Sequence, residues 1–416
     1  MIAPFLRRTG AVRGPSAVRA ALLAAVAVAS TVWTSGCGGS SGGGDPLQGR
    51  SRTSALGAAY YSWFPENWGF GTYGQKLEPP IAPLLGEYGS GSVTLAAHSV
   101  FARQGGLDFF LFDVWPVPRP GTGGDETLVR ARERVLDYYR AGFGLGRQRT
   151  ALLYEVQGLV DVSGTGILRL DAEGERILID DLTALGREVF GHPSYLKVDD
   201  RPVVFLYLTR SFTGGFGDTV RRLRDAMRAQ GMDPYLVGEE VYWYVTGEDG
   251  RILNEREPNL TRLAAFDAVW TYNPLYSDGR FCGDAGIDRF LSDTHDLYVS
   301  YRDAARRVGV EFVPTLLPGY NDRGVRPGLA YCTVPRERAS GELFLAQSWD
   351  RWVRPFIGES PLVLSTTFNE WNEGSQLEPA VGGPTSDPFL TEGAVVQGNG
   401  TKYLDALAGL SSELPR

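Results

Sequence analysis

Two glutamates, Glu370 and Glu373, stand three residues apart directly after Pro361–Phe368, an apolar run that predicts a buried strand. Cleavage of a glycosidic bond needs two carboxyl groups, one to protonate the leaving oxygen and one to act as base or nucleophile. Two close carboxylates push their pKa values apart, so one can serve as acid and the other as base at a single pH. Because Glu-x-x-Glu is also common on solvated helices, the pair points to this chemistry only through its place after a strand, beside Asn369 and Trp371.

The chain of 416 residues, 43% of them hydrophobic, alternates apolar runs with amphipathic stretches from about residue 55 onward. Continuous runs rich in Val, Leu, Phe and Tyr are typical of parallel strands buried on both faces. We predict eight such strands: Gly57–Trp63, Leu107–Trp115, Thr150–Val156, Pro202–Leu208, Pro234–Tyr242, Phe266–Tyr272, Val310–Leu317 and Pro361–Phe368.

Apolar residues at spacings of three and four predict helices between these strands. The clearest stripes are Leu128 to Ala141, Val220 to Met227 and Leu297 to Val308, whereas the segment between the fifth and sixth strands is short. Eight strands alternating with helices predict an α/β fold, a (β/α)₈ TIM barrel that forms a single catalytic domain over residues 55–416. The alternative, an open doubly wound sheet, would be favoured by a Gly-rich phosphate-binding turn directly after the first strand, and the five residues that follow Trp63 contain no glycine.

Chemistry in such a barrel collects at the C-terminal ends of the strands. Aromatic and polar residues follow the predicted strands, and aromatic faces pack against sugar rings while polar groups bind the hydroxyls. The candidates for substrate binding at these ends are Tyr61, Trp115, Glu155, Tyr207, Tyr272, Asn369 and Trp371. We expect Tyr60 and Trp270, by contrast, to pack in the core.

Several other functional classes are disfavoured by the composition. The net charge is −8 with no long basic block, so nucleic acid is not an expected partner. The three histidines, His98, His192 and His295, lie far apart and lack metal-ligand spacing, so we expect structural roles, no metal and no cofactor. Within the predicted domain, residues 55–416, Gly-x-Ser-x-Gly and Cys–His patterns for nucleophilic catalysis are also missing.

The N-terminus has the pattern of an export signal. Arginines at positions 7, 8, 13 and 19 precede an apolar run, residues 20–33, that is too short for a comfortable membrane span. The run ends at Gly36-Cys37, which resembles a bacterial lipobox. We therefore expect residues 1–36 to be a lipoprotein signal peptide. Residues 37–54 would be a lipid anchor at Cys37 with a Gly/Ser-rich tether, leaving the protein at the cell surface. Ordinary secretion with an incidental cysteine is the alternative.

Two further cysteines, Cys282 and Cys332, remain in the predicted domain. Export would allow a disulfide between them, and two free buried thiols are the alternative.

Seven short motifs resemble glycoside hydrolase family 99, the endo-α-1,2-mannosidases and endo-α-1,2-mannanases, over about Ala58 to Leu410. They are Tyr60–Trp63, Leu85–Ser90 followed by His98, Phe312–Pro314, Pro318–Tyr320, Val325–Pro327, Phe368–Trp371 and Glu373–Glu378. Asn372 departs from the pattern, since the family commonly has His between its two glutamates. This difference puts the linkage and the sugar in doubt more than the type of reaction.

The resemblance implies a (β/α)₈ enzyme that cleaves within α-mannose chains, retains anomeric configuration and acts through a 1,2-anhydro sugar. Glu370 would then deprotonate the substrate 2-hydroxyl, and Glu373 would protonate the leaving oxygen and later activate water. The residues expected to line the sugar site by this resemblance are Tyr61, Trp115, Glu155, Tyr272, Arg326 and Asn369. The partner would be an oligo- or polysaccharide, with a membrane contacted only through the lipid anchor; the oligomeric state is not predicted.

Three alternatives stay open. A glycosidase of the same fold could act on a different glycan, or a glycan-binding lipoprotein could keep vestigial chemistry. Retention of both Glu370 and Glu373 argues against the second of these. A transferase is disfavoured by export, because nucleotide-sugar donors are scarce outside the cytoplasm.

Overall fold

The computed structural model describes residues 53–68, 81–119, 125–141, 148–160, 168–213, 215–243, 258–275, 281–323, 333–384 and 396–415. The predicted signal peptide and most of the tether, with Cys37, lie outside these residues. Ser54, which was assigned to the tether, is instead buried, and its backbone N–H donates to the Pro415 carbonyl at 3.0 Å. The folded domain therefore begins slightly earlier than the predicted boundary at residue 55.

All eight predicted strands form one parallel sheet, with bounds that differ from the prediction by a few residues. In chain order, the barrel strands are Ala55–Tyr60, Phe109–Val114, Arg149–Glu155, Arg201–Tyr207, Tyr235–Glu239, Ala268–Trp270, Glu311–Phe312 continued by Thr315–Leu316, and Leu362–Thr367. Each pairs in parallel with its neighbour in the chain, and the eighth also pairs with the first.

The seventh strand closes the barrel in two halves. Its first half pairs with the sixth strand and its second half with the eighth. Pro314 stands between the halves; it has no N–H to donate, while its carbonyl accepts from the Leu364 N–H at 3.0 Å. Since both edges of the sheet meet through this one segment, the predicted (β/α)₈ barrel is confirmed and the open-sheet alternative is excluded.

Helices cover the outside of the sheet. They are Ser92–Gln104, Glu126–Ala141, Ala172–Val189, Phe216–Arg228, Leu260–Leu263, Gly283–Arg307, Phe344–Ser348 and Lys402–Ser411. The weak helix expected between the fifth and sixth strands is a single turn, Leu260–Leu263, capped by the Asn259 side chain. No helix among the described residues is long and apolar enough to cross a membrane.

Short elements complete the fold. Two-residue strands lie at Ala82–Pro83, Leu168–Arg169, Lys197–Val198, Phe212–Thr213 and Ala380–Val381. Single 3₁₀ turns follow the third and fourth barrel strands at Val156–Leu159 and Thr209–Ser211. Before the eighth strand, a π-helical turn at Trp349–Val353 continues into a 3₁₀ turn at Arg354–Phe356.

Alternate residues of each strand divide the core in two. Tyr60 and its neighbours on the outer face pack against the helices, whereas Phe109 and Trp270 belong to the cluster inside the barrel. Both Tyr60 and Trp270 are therefore core residues, as predicted. Inside the barrel, Gly57 is opposite Phe109 in the register, and the phenyl ring occupies the space that a side chain at Gly57 would need.

This close approach generates a prediction about stability. A Cβ atom at Gly57 would lie 2.2 Å from the Phe109 ring, so Gly57→Ala forces the ring out of its place. We expect the free energy of unfolding to fall by about 1–3 kcal/mol, the usual cost of overpacking, as measured by urea denaturation. The control is Gly191→Ala, because nothing lies within 4 Å of a Cβ atom there. Equal stability of the two variants would contradict the packing argument.

Candidate active site

The segment after the eighth barrel strand folds into a closed loop at the C-terminal mouth of the barrel. The Ser375 N–H donates to the Glu370 carbonyl at 3.3 Å, and the Glu378 N–H donates to the Phe368 carbonyl at 2.8 Å. Gly374 turns the chain with φ +59°, a left-handed conformation that glycine adopts without steric cost. Glu370 and Glu373 are consequently carried on one short, internally bonded loop.

The two glutamates have different surroundings. Glu370 is buried, and its Oε1 accepts from the backbone N–H of Asn372 at 2.7 Å. Glu373 is half-buried, and its Oε2 is 3.5 Å from the Tyr272 hydroxyl, which donates to it. The Asn321 N–H, from the loop after the seventh strand, donates to the Glu373 carbonyl at 2.7 Å. One carboxylate is thus fixed by its own loop, and the other faces a phenol from the sixth strand.

Three tyrosines stand between the glutamates and the rest of the mouth. The Tyr61 hydroxyl donates to the Tyr272 hydroxyl at 2.8 Å, and the rings of Tyr207 and Tyr272 meet edge to face with centroids 5.4 Å apart. Burial raises the pKa of Tyr61 well above its usual value, and the charges of Asp113, Glu370, Glu155 and Glu373 raise it further. All four carboxyl groups therefore act on one phenol, which stays protonated and able to donate.

A second pair of carboxyl groups lies at the C-terminal ends of the second and third strands: Asp113 is the next-to-last residue of its strand and Glu155 the last. Burial raises the pKa of Asp113 to about 7, although the neighbouring Glu155 and Trp115 side chains act in the opposite direction. Burial, followed by the charge of Asp113, raises the pKa of Glu155 well above its usual value. At neutral pH this pair holds a proton, so it can donate as well as accept hydrogen bonds with a ligand hydroxyl.

Asn369 joins the ends of the first and eighth strands. Its Oδ1 accepts from the Tyr61 N–H at 2.8 Å, and its Nδ2 donates to the Tyr61 carbonyl at 2.9 Å. The two bonds fix the backbone of Tyr61 relative to the loop that carries Glu370.

A buried network lies beneath the same loop. The Glu378 carboxylate accepts from the Tyr88 hydroxyl at 2.7 Å and the Trp371 indole at 2.9 Å, and it is 3.1 Å from His98 Nε2. His98 Nδ1 is in turn 3.0 Å from the Tyr60 hydroxyl. Trp371, which lies between Glu370 and Glu373 in the chain, is therefore held by its hydrogen bond to Glu378.

The structure brings most of the predicted site residues together. Tyr61, Glu155, Tyr207, Tyr272, Glu370 and Glu373 meet at the mouth, and Trp115 adjoins them beside Asp113. Asn369 and Trp371, which are also expected to bind substrate, are buried and hydrogen-bonded to Tyr61 and Glu378 respectively, and their contact with substrate stays a prediction. Arg326 lies outside the described residues.

Asp113, Glu239 and Glu378 were not among the residues predicted for the site, although Glu378 closes the Glu373–Glu378 motif. The first two each end or nearly end a barrel strand, which was the available signal, whereas Glu378 depends on a return of the chain that no local pattern indicates. The expectation that the histidines are structural holds for His98, which is inaccessible to solvent.

Cys282 is disulfide-bonded. Cys332 is not among the described residues, so the Cys282–Cys332 pairing stays a prediction. Within the described part of the chain, no group of three or more His, Cys, Asp or Glu residues could hold a metal ion.

In sequence, the chain resembles proteins named for endo-α-1,2-mannosidase activity. It is 27% identical over 161 residues to the glycoprotein endo-α-1,2-mannosidase-like protein of Mus musculus, a match that covers 36% of this chain and 32% of that protein. The match thus spans about a third of the length of this curated relative. No protein-family model matches the chain.

In fold, the chain resembles solved glycoside hydrolase structures. A glycoside hydrolase-like protein superposes with a TM-score of 0.62 at 19% identity, covering 89% of this chain and 97% of that one. The GH99 endo-α-mannosidase from Bacteroides thetaiotaomicron gives a TM-score of 0.55 at 17% identity, covering 86% and 96%. The resemblance to glycoside hydrolase family 99 expected from the sequence is confirmed by these names, and the fold is that of the solved GH99 barrel.

The raised pKa of Asp113 predicts how stability depends on pH. Asp113 ionises near pH 4 when unfolded but near pH 7 when folded, so wild-type stability is lost as the pH rises through this window. Asp113→Asn cannot ionise. Its stability relative to wild type should therefore grow between pH 5 and pH 7.5, by on the order of 2 kcal/mol at 1.36 kcal/mol per pKa unit. Urea denaturation at several pH values measures this, and a constant difference would contradict the assignment.

Proposed function

We propose that the protein is an endo-acting, retaining glycoside hydrolase that cleaves α-mannosidic linkages, resembling the endo-α-1,2-mannosidases. The observation that carries the proposal is the single loop that presents Glu370 and Glu373 in different surroundings to one pocket of tyrosines. The names of the relatives in sequence and in fold support the same activity.

We infer a reaction that uses the substrate's own hydroxyl as nucleophile. Glu370 takes the proton of the 2-hydroxyl, whose oxygen attacks the anomeric carbon of the same sugar. The bond to the departing glycan breaks as Glu373 gives its proton to the leaving oxygen. Water, deprotonated by Glu373, then opens the 1,2-anhydro sugar at the anomeric carbon, and Glu370 returns its proton to the 2-oxygen. Two inversions at one carbon retain the configuration.

The neighbours of the two glutamates suit these roles. Glu370 is held by a backbone N–H of its own loop, and so it approaches the substrate in one orientation. Glu373 accepts from the Tyr272 hydroxyl. A hydroxyl can both donate and accept hydrogen bonds, so it can bond to Glu373 in its protonated and its ionised form. Asp113 and Glu155, which hold a proton between them, can bind the hydroxyl groups of the same sugar.

The roles of the two glutamates can be separated by the leaving group. An activated aryl leaving group needs little protonation, so Glu373→Gln should lose less activity on aryl glycosides than on natural mannans. Glu370→Gln should cripple both, because the internal nucleophile is never formed. Product sizing on a panel of mannans and aryl oligosaccharides measures both variants.

A 2-fluoro substrate provides the control for this assignment. It lacks the 2-hydroxyl and should bind without turning over. In a conventional retaining enzyme, a glutamate attacks instead and the 2-fluoro sugar is trapped on the protein. An adduct on Glu370 in the intact mass would refute the anhydro-sugar route while leaving glycosidase function intact.

We propose further that the protein is exported and held at the cell surface by a lipid on Cys37. Ser54, where the chain enters the barrel, lies beside Pro415 at the N-terminal end of the first strand, opposite the mouth that carries Glu370. A tether joined at that face would leave the active site pointing away from the membrane, accessible to large glycans.

Replacement of the lipid attachment residue tests this. Cys37→Ser should move the protein from the membrane fraction to the soluble exported fraction without changing its activity, since the anchor is the only membrane contact proposed. Cell fractionation with an activity assay measures it. An unchanged distribution would reject lipidation at Cys37.

A further inference from the structure

Glu239, at the C-terminal end of the fifth strand, connects the ends of three neighbouring strands. It is almost fully buried, and its two carboxylate oxygens are both used. Oε2 accepts from the Leu208 N–H at 2.7 Å, just beyond the fourth strand. Oε1 accepts from the Tyr272 N–H at 3.2 Å, just beyond the sixth.

The bond to Leu208 stabilises a strained turn. Leu208 has φ +61°, a left-handed conformation that residues other than glycine rarely adopt. Such a conformation persists only where its surroundings fix it. Because Leu208 directly follows Tyr207, the turn determines where the Tyr207 ring meets the Tyr272 ring.

Arg210 holds the carboxylate from the other side. Its guanidinium donates to Glu239 Oε2 at 2.5 Å and lies over the Tyr242 ring, 4.2 Å from the centroid. Burial raises the pKa of Glu239 above its usual value, although the charge of Arg210 and the two backbone N–H groups act in the opposite direction. In this cluster the Glu239 carboxylate accepts hydrogen bonds from all three donors. The proposed reaction uses none of these groups as acid, base or nucleophile.

We propose that Glu239 is a positioning residue that aims the Tyr272 hydroxyl at the general acid, Glu373. It fixes the Tyr272 backbone directly and the neighbouring Tyr207 through Leu208, while the Tyr272 hydroxyl receives the Tyr61 bond and donates to Glu373. The inference rests on the proposed function, in which Glu373 protonates the leaving oxygen.

Glu239→Gln is the informative substitution. It keeps the size of the side chain but replaces one acceptor oxygen with an N–H donor. In one orientation that donor faces Leu208 and Arg210, and in the other it faces the Tyr272 N–H. Either way one strand end is released. We expect kcat on natural glycans to fall about 10–100-fold, the scale of a misplaced catalytic group, with KM changed much less.

The matched control is Glu240→Gln. Glu240 is adjacent, equally buried and also paired with an arginine, Arg262 at 2.9 Å, and both of its carboxylate oxygens accept from that guanidinium rather than from Tyr272. Both variants disrupt an arginine–carboxylate pair, so both should be less stable. Only Glu239→Gln should lose more activity on natural glycans than on aryl glycosides, the same selectivity expected for Glu373→Gln. Equal losses on the two substrates would overturn the proposal.

A double-mutant cycle with Tyr272→Phe decides whether Glu239 acts through the tyrosine. We expect the double variant to be no more impaired on natural glycans than Tyr272→Phe alone. Independent, multiplicative losses would overturn the proposal.

Failure of the proposed function would be distinguishable from failure of this inference. If the wild type cleaves none of the substrates, crystal structures of the wild type and Glu239→Gln still test the positioning. We expect the separation between the Tyr272 hydroxyl and Glu373 Oε2, 3.5 Å in the wild type, to lengthen by about 1 Å. An unchanged separation would overturn the role of Glu239.

Discussion

Carboxyl groups are concentrated at the mouth of the barrel, where each needs a hydrogen-bond donor, a cation or a proton. Asp113, Glu155, Glu239, Glu370 and Glu373 all act on the phenols of the site. A buried carboxylate is costly unless it is hydrogen-bonded, paired with a cation or protonated. The arrangement of strand ends around the mouth is largely determined by how each of these groups meets that requirement.

Each solution has a different consequence for chemistry. Glu239 is bound by Arg210 and by backbone N–H groups, so it serves as a fixed support. Asp113 and Glu155 retain a proton and can recognise hydroxyl groups of a ligand. Glu370 accepts from a backbone N–H of its own loop and Glu373 accepts from the Tyr272 hydroxyl, and this is the pair that we propose exchanges protons with a substrate.

The scaffold makes these differences possible. Closure through the divided seventh strand brings the first and eighth strands together, and Asn369 then bonds to the backbone of Tyr61. Beneath the loop, the Glu378 carboxylate lies within hydrogen-bond distance of Tyr88, His98 and Trp371. A loop held from the side and from below can present two carboxylates in fixed but unlike settings, which a solvated Glu-x-x-Glu helix could not.

The sequence alone determined the eight strands and the barrel, and it singled out the glutamate pair that the structure places on one loop, because long apolar runs and the polar residues that follow them are local patterns. It also separated Tyr60 and Trp270, which pack in the core, from Tyr61 and Tyr272 at the mouth. Only the tertiary structure shows that Asn369 and Trp371 are hydrogen-bonded within the protein, and that Asp113, Glu239 and Glu378 lie around or beneath the two glutamates. The contacts of Asn369 and Glu239 with backbone N–H groups join residues 31 to 308 positions apart, and their energies come from burial and hydrogen bonding across the closed barrel rather than from any pattern along the chain.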